Sequence, residues 1–152
     1  MAKHPTFTAV FILLERDGKY FFIRRANTGW NDGKLTLPSG HVDKGQTARQ
    51  AATVEAREEA GVVIHEEDLE FIHCHYIFDT YTNFYFRAKK WEGEPMLGEP
   101  HLCSEVVWHD KEHIPDDVIM HVRSMLENVG KGSYFTDKPD DPGWEKSKNI
   151  NQ

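Results

Sequence analysis

The sequence predicts an α/β fold, one mixed β-sheet with helices on its faces. Runs rich in β-branched and aromatic residues are separated by Gly, Pro, Asn and Asp turn signals. Two stretches, well apart along the chain, read instead as helices. Strands and helices interleaved in this way pack as layers around one core. With 152 residues the chain fits one domain and is long enough to bury such a core.

The elements follow in order. "TFTAVFILLE", the Asp-Gly turn of "RDGK" and "YFFIRR" predict a β-hairpin, strand about 6–14 to strand about 19–25. The polar loop "ANTGWNDGK" and the short "LTLPSG" follow, and Pro38, Gly40 and Gly45 punctuate a bend before a helix. Thr47 with Gln50 three residues later forms a capping box, so the helix starts there, and Gly61 sits where a helix commonly stops. Strand character returns at Glu70–Phe78, Asn83–Trp91 and "EVVWHD". Val118, Val122, Met125, Leu126 and Val129 then predict a second helix over about Asp116–Asn128. The sequence divides into a domain over 3–130 and a polar tail, 131–152, expected to be peripheral or partly disordered. Tyr134, Phe135 and Trp144 leave a docking role open for that tail.

Composition narrows the function. Hydrophobic residues make up 39% and charged residues 28%, as in ordinary soluble globular proteins. No apolar run approaches the roughly 20 residues of a membrane span, and the start of the sequence lacks a leader-like cleavage site. Cys74 and Cys103 give neither a disulfide framework nor a zinc pattern, which favours an intracellular, cytoplasmic setting. A net charge of −7 argues against tracking a long nucleic-acid backbone. A single nucleotide needs only a local cation and is not excluded.

The first helix poses an electrostatic problem. Glu55, Glu58 and Glu59 share an arc about 100° wide, and the positions three and four residues away hold Ala, Val, Gly or Glu, never Lys or Arg. Like charges at this spacing destabilise a helix by about 0.2–0.5 kcal/mol per pair. A solvated acidic face is the plain explanation for a generic helix. Here Ala48, Ala51 and Ala52 lie on the same side and permit close approach to another surface, which crowds the acids into a cleft. A divalent cation relieves that crowding, and carboxylate-only ligation selects Mg²⁺ or Mn²⁺ over zinc.

The stretch Gly40–Val62 resembles the signature of the Nudix hydrolases: Gly40, Glu55, Ala56, Glu58, Glu59, Gly61 and Val62 all match. The resemblance covers about 6–129, and "RRANTGWNDGKLTLPSG" and "WEGEPMLGEP" are similar to segments of the MutT-like members. It implies the Nudix fold, a mixed sheet between α-helices. It also implies Mg²⁺-dependent hydrolysis of a nucleoside diphosphate linked to X, with a nucleoside triphosphate, cleaved to monophosphate and pyrophosphate, as the leading substrate. A nucleotide-sugar or ADP-ribose pyrophosphatase is the alternative within the class, and a catalytically weak nucleotide-binding module the alternative outside it. The resemblance makes Glu55, Glu58 and Glu59 catalytic and metal-binding, and adds Glu99 and the backbone carbonyl of Ser39 as metal ligands. Gly40, Arg24, Arg25 and Asp117 fall on the substrate side. Alternation along the strand puts Arg24 and Arg25 on opposite faces, so only one serves the site, and Arg25 aligns with the phosphate-binding arginine. The implied partner is a small nucleotide, with no long nucleic acid and no membrane; a homodimer is compatible with it.

Two positions depart from the signature: Gln46 replaces its first glutamate and Val54 its arginine. Together they leave no charge unpaired, at the expense of turnover. Ser39 replaces a common glycine and keeps the backbone carbonyl. Other residues read more simply. His73 and His75 share a strand face and are sheet histidines more often than a metal pair. His41 suits substrate contact or loop packing equally, and Trp30 and Phe84 suit packing better than base stacking. Glu105 suits a solvated acid at a strand start better than a place in the metal shell, and Asp117 is as plausible as an N-terminal helix acid as a base reader.

Overall fold

The structure is a computed structural model that describes residues 2–77 and 79–137. Met1, Phe78 and residues 138–152, Trp144 among them, lie outside the described residues. The elements are β1 (Phe7–Arg16), β2 (Lys19–Arg25), β3 (Leu35–Thr36), β4 (Ser39–His41), α1 (Ala48–Ala60), a 3-10 turn (Glu66–Asp68), β5 (Leu69–Ile77), β6 (Tyr81–Ala88), β7 (Cys103–Asp110), α2 (Met120–Asn128) and β8 (Phe135–Thr136).

The hairpin forms as the sequence predicts. Asp17 and Gly18 both take positive φ, 52° and 73°, the backbone a two-residue hairpin turn demands. The ladder between β1 and β2 is nevertheless confined to Glu15–Arg16 against Lys19–Tyr20. Beyond it the Leu35–His41 segment joins the two strands: β3 pairs with β2, β4 pairs with β1, and Ile12 N–H donates to Pro38 O. The strand order is β3-β2-β1-β6-β5-β8, with β7 on β2 and β4 on β1. β1 runs parallel to β6 and β5 antiparallel to it, so the sheet is mixed.

A strand covered on both faces reads as a continuous apolar run. In β1, Val10, Ile12 and Leu14 pack with Phe21, Ile23, Ala51, Ala52 and Ala56 on the α1 face. Phe11 and Leu13 pack with Phe22, Leu35, Val122 and Met125 on the α2 face. Each fully buried large side chain contributes about 1.5–3 kcal/mol to these cores. α1 contributes only buried alanines, Ala51, Ala52, Ala56 and Ala60, so its axis lies close to the sheet.

Both caps of α1 sit where the sequence puts them. Thr47 accepts from Gln50 N–H, the Gln50 side chain accepts from Thr47 N–H, and Gly61 N–H reaches the carbonyls of Ala56 and Arg57. The second helix begins later than its periodicity predicts, at Met120 rather than Asp116. The intervening backbone is committed to the sheet: Asp117 O accepts from Leu35 N–H and Ile119 N–H donates to Leu35 O. Asp117 is therefore not a helix acid. β6 ends at Ala88, before the predicted Trp91, and the tail supplies a strand of its own. β8 pairs parallel with β5, and buried His73 reaches Ser133 O through Nδ1 and Thr136 Oγ1 through Nε2. Among the described residues no helix is long and apolar enough to cross a membrane.

Candidate active site

The acidic stripe of α1 faces the segment that joins β2 to β1. At Gly40 a Cβ would sit 2.1 Å from the Glu55 carboxyl, so β4 and this side chain lie in close contact and a larger residue would turn the carboxyl aside. One residue earlier, Ser39 N–H donates to Glu59 Oε2 at 2.8 Å. Glu59 is thus fixed to this short stretch of backbone by a hydrogen bond, and the Glu55 carboxyl lies in the space the glycine leaves open.

Burial and mutual repulsion hold both acids toward their neutral forms. Burial chiefly, then Glu58, Glu99 and Asp43, push Glu55 up to about 7. Glu59 is pushed up to about 8, again chiefly by burial, with Glu55 and Glu99 adding repulsion against the opposing Ser39 N–H and Arg25. The structure therefore brings together Glu55, Glu58, Glu59 and Glu99, with Gly40, Ser39 and Arg25 around them. As the side chains stand, no three acid, imidazole or thiol groups among the described residues converge into a ready-made metal cluster. Glu55 and Glu59, partly desolvated oxygen donors repelled by neighbouring carboxylates, nonetheless suit a hard divalent ion.

Arg25 occupies the wall beside Glu59. Burial lowers its pKa, partly offset by Glu59 and Asp32. Its Nε donates to Trp30 O at 2.8 Å and its guanidinium lies over the Trp30 ring at 4.9 Å. Arg25 and Glu59 line a cavity of about 360 Å³ with Ile23, Asn27, Thr28, Leu102 and Cys103. Asp32 orders the cavity's outer loop by accepting from the N–H groups of Thr28 and Gly29 and from the Thr28 hydroxyl.

Arg24 takes the opposite direction. Its Nε donates to Glu105 at 2.6 Å and its Nη1 to Asp117 at 2.6 Å and Gly33 O at 2.7 Å. Arg24, Glu105 and Asp117 therefore form one clasp over the α2 face, apart from the acids of α1. On that face Trp30 stacks on His121, and Tyr85 and His121 share a hydrogen bond of 2.7 Å. His75 is buried there, while His41 bonds Tyr81. Phe84 packs against the α1 core.

Sequence reasoning missed Cys103 and Gly98. Cys103 is buried in the cavity wall, its thiol pushed up to about 11 by burial and the nearby acids, and it reads as packing. Gly98 has a contact signal that only the fold reveals. The two departures from the signature are quiet: Gln46 Oε1 accepts from Asp43 N–H, and Val54 is exposed.

A family model described as NUDIX domain matches residues 3–129. The chain belongs to the Nudix family. The 8-oxo-dGTP diphosphatase of Escherichia coli K12 is 33% identical over 111 residues, covering 70% of this chain and 85% of the relative. A MutT Nudix hydrolase from Burkholderia pseudomallei superimposes with a TM-score of 0.73 at 22% identity, over 83% of this chain and 99% of that one. A Nudix hydrolase from Nitrosomonas europaea gives 0.72 at 22% identity, over 91% and 82%. The mixed sheet between two helices is thus the Nudix fold, and the acidic stripe of α1 lies within the matched region.

Proposed function

We propose that this Nudix protein is a Mg²⁺-dependent hydrolase that opens the phosphoanhydride of a nucleoside triphosphate, giving monophosphate and pyrophosphate. The observation that carries the reading is the crowding of Glu55 and Glu59, both raised toward neutrality, with Glu59 beside Arg25 at the wall of one cavity. Glu55, Glu58, Glu59 and Glu99, with the Ser39 carbonyl, are the groups that would hold the ion. When bound, Mg²⁺ neutralises phosphate charge and eases departure of the leaving group.

The chain's own groups do the rest. Trp30 fixes Arg25 from one side through its carbonyl and ring, which turns the guanidinium toward the cavity to hold a phosphate. Water forms a new P–O bond, one anhydride P–O bond breaks, and a carboxylate of the α1 cluster takes the proton from the water. Gly40 keeps β4 within reach of Glu55. Gln46 and Val54 leave no buried charge behind, which is compatible with turnover. The named activity of the Escherichia coli relative supports the triphosphate reading over a nucleotide sugar.

The deciding experiment measures Mg²⁺-dependent release of phosphate or pyrophosphate across a panel of nucleoside triphosphates, nucleotide sugars and ADP-ribose. Pyrophosphate from triphosphates is the expected product. Binding without release from any of them returns the chain to a nucleotide-binding module.

A further inference from the structure

The loop that carries Glu99 is built onto the last turn of α1. The final carbonyls of a helix lack partners within it. Here Met96 N–H donates to Ala60 O at 2.9 Å and Gly98 N–H to Glu59 O at 3.2 Å, so this loop completes the C-terminal cap. A Cβ on Gly98 would lie 2.1 Å from Glu58 O and 2.8–2.9 Å from the carbonyl carbons of Glu59 and Glu58. All three are backbone atoms of α1, which cannot rotate aside as a side-chain end does. Gly98 is not among the glycines with positive φ, so the requirement is for space rather than for backbone freedom. The next residue is fixed as well: Glu99 O accepts from the N–H groups of Leu102 and Cys103, both at 3.0 Å.

We propose that Gly98 is a positioning residue, whose missing side chain lets the loop lie on the backbone of Glu58 and Glu59 and so sets the Glu99 carboxylate against the acids of α1. The inference rests on the metal-dependent reading above. It makes the fourth carboxylate and the helix one mechanical unit: the backbone of Glu59 anchors the loop while its side chain faces the cavity. A loop glycine of merely local importance affects stability and leaves metal affinity alone; a positioning glycine changes affinity through Glu99.

The test is a Mg²⁺ titration of the full chain by calorimetry, at constant ionic strength, for the wild type, Gly98→Ala, Glu99→Gln and the double variant. Gly98→Ala is expected to weaken Mg²⁺ binding about 10-fold or more, in the range seen when groups supporting metal ligands are removed. The double variant is expected to bind no more weakly than Glu99→Gln alone, because the two changes remove the same interaction. Effects that multiply overturn the inference, as does wild-type affinity in Gly98→Ala. A wild type that binds no Mg²⁺ overturns the proposed function and this inference together; a wild type that binds, with Glu99→Gln weakened and Gly98→Ala unchanged, overturns the inference alone. Amide exchange in the wild type decides the matter even where Gly98→Ala fails to fold. Mg²⁺ is expected to slow exchange at Met96 and Gly98, and Glu99→Gln to abolish that slowing. Unchanged exchange overturns the coupling.

Discussion

Glu59 is hydrogen-bonded to Ser39 N–H, half-buried, and beside Arg25, so the proposed role rests on its cavity position together with a raised proton affinity. Glu59→Gln keeps the size and the hydrogen-bond acceptor but removes the charge. It is expected to cut turnover by about 100-fold or more, a loss of roughly 2.7 kcal/mol in transition-state stabilisation, with an unchanged far-UV spectrum. Near-wild-type turnover would remove Glu59 from the proposed machinery. The two arginines at the end of β2 separate by partner. Arg25 keeps one Nε bond to the Trp30 carbonyl and lines the cavity, whereas Arg24 spends its donors on Glu105, Asp117 and Gly33. Arg25→Gln is therefore expected to lower kcat/KM about 10-fold or more with little change in melting temperature. Arg24→Gln is expected to do the reverse, with a stability loss of about 1 kcal/mol, typical for a partly exposed ion-pair network. Steady-state kinetics and thermal melts on both variants check the assignment. An equal kinetic loss in both would place Arg24 at the substrate as well.

At the scale of the element, α1 carries the argument. Its acids repel one another without metal, and an ion that binds only the folded state stabilises it by RT ln(1 + [L]/Kd), about 2.7 kcal/mol at a hundredfold excess. Mg²⁺ is expected to raise the melting temperature by several degrees where sodium chloride of equal ionic strength does not. The triple change Glu55→Gln, Glu58→Gln, Glu59→Gln is expected to abolish that response and leave the metal-free form at least as stable as the parent. An identical shift with both salts would mean a solvated acidic face. The helix was legible because its signals are local: a Thr47–Gln50 box, a Gly61 stop and three acids in register. The start of α2 was not, because Asp117 and Ile119 give their backbone groups to Leu35, more than eighty positions away in sequence. The same holds for β8, since "FT" has no strand signature apart from the β5 edge and the His73 side chain that receive it. Glu99 is named from the motif alone, whereas the packing of Gly98 against the helix backbone exists only in three dimensions.

At the scale of the whole molecule, the two faces of the sheet titrate in opposite senses. On the α2 face His121 is buried beside His75 and Tyr85, and burial chiefly, then His75 and Arg25, lower its pKa to about 3 from an ordinary 6.5. The folded chain binds fewer protons there than the unfolded chain between these values, so stability rises with pH across that window and is lost as pH falls. His73, also lowered by burial, acts in the same sense. On the α1 face the folded chain holds more protons than the unfolded one, because Glu59 titrates near 8 and Glu55 near 7 against an ordinary 4.5. Stability from these groups is therefore undiminished below about pH 4.5 and declines from there to about pH 8. Metal-free protein is thus expected to melt highest in weakly acidic buffer and to lose melting temperature on both sides. Glu59→Gln removes one group from the alkaline limb only, so it is expected to flatten the decline toward pH 8 while leaving the acid limb in place. Saturating Mg²⁺ is expected to do the same without mutation, since an ion that holds the carboxylates charged cancels the cost of ionising them. Calorimetric melts from about pH 3 to about pH 9 in chelator and in Mg²⁺ check this. An alkaline limb unchanged by either treatment would show that the buried acids of α1 do not govern the stability of this molecule.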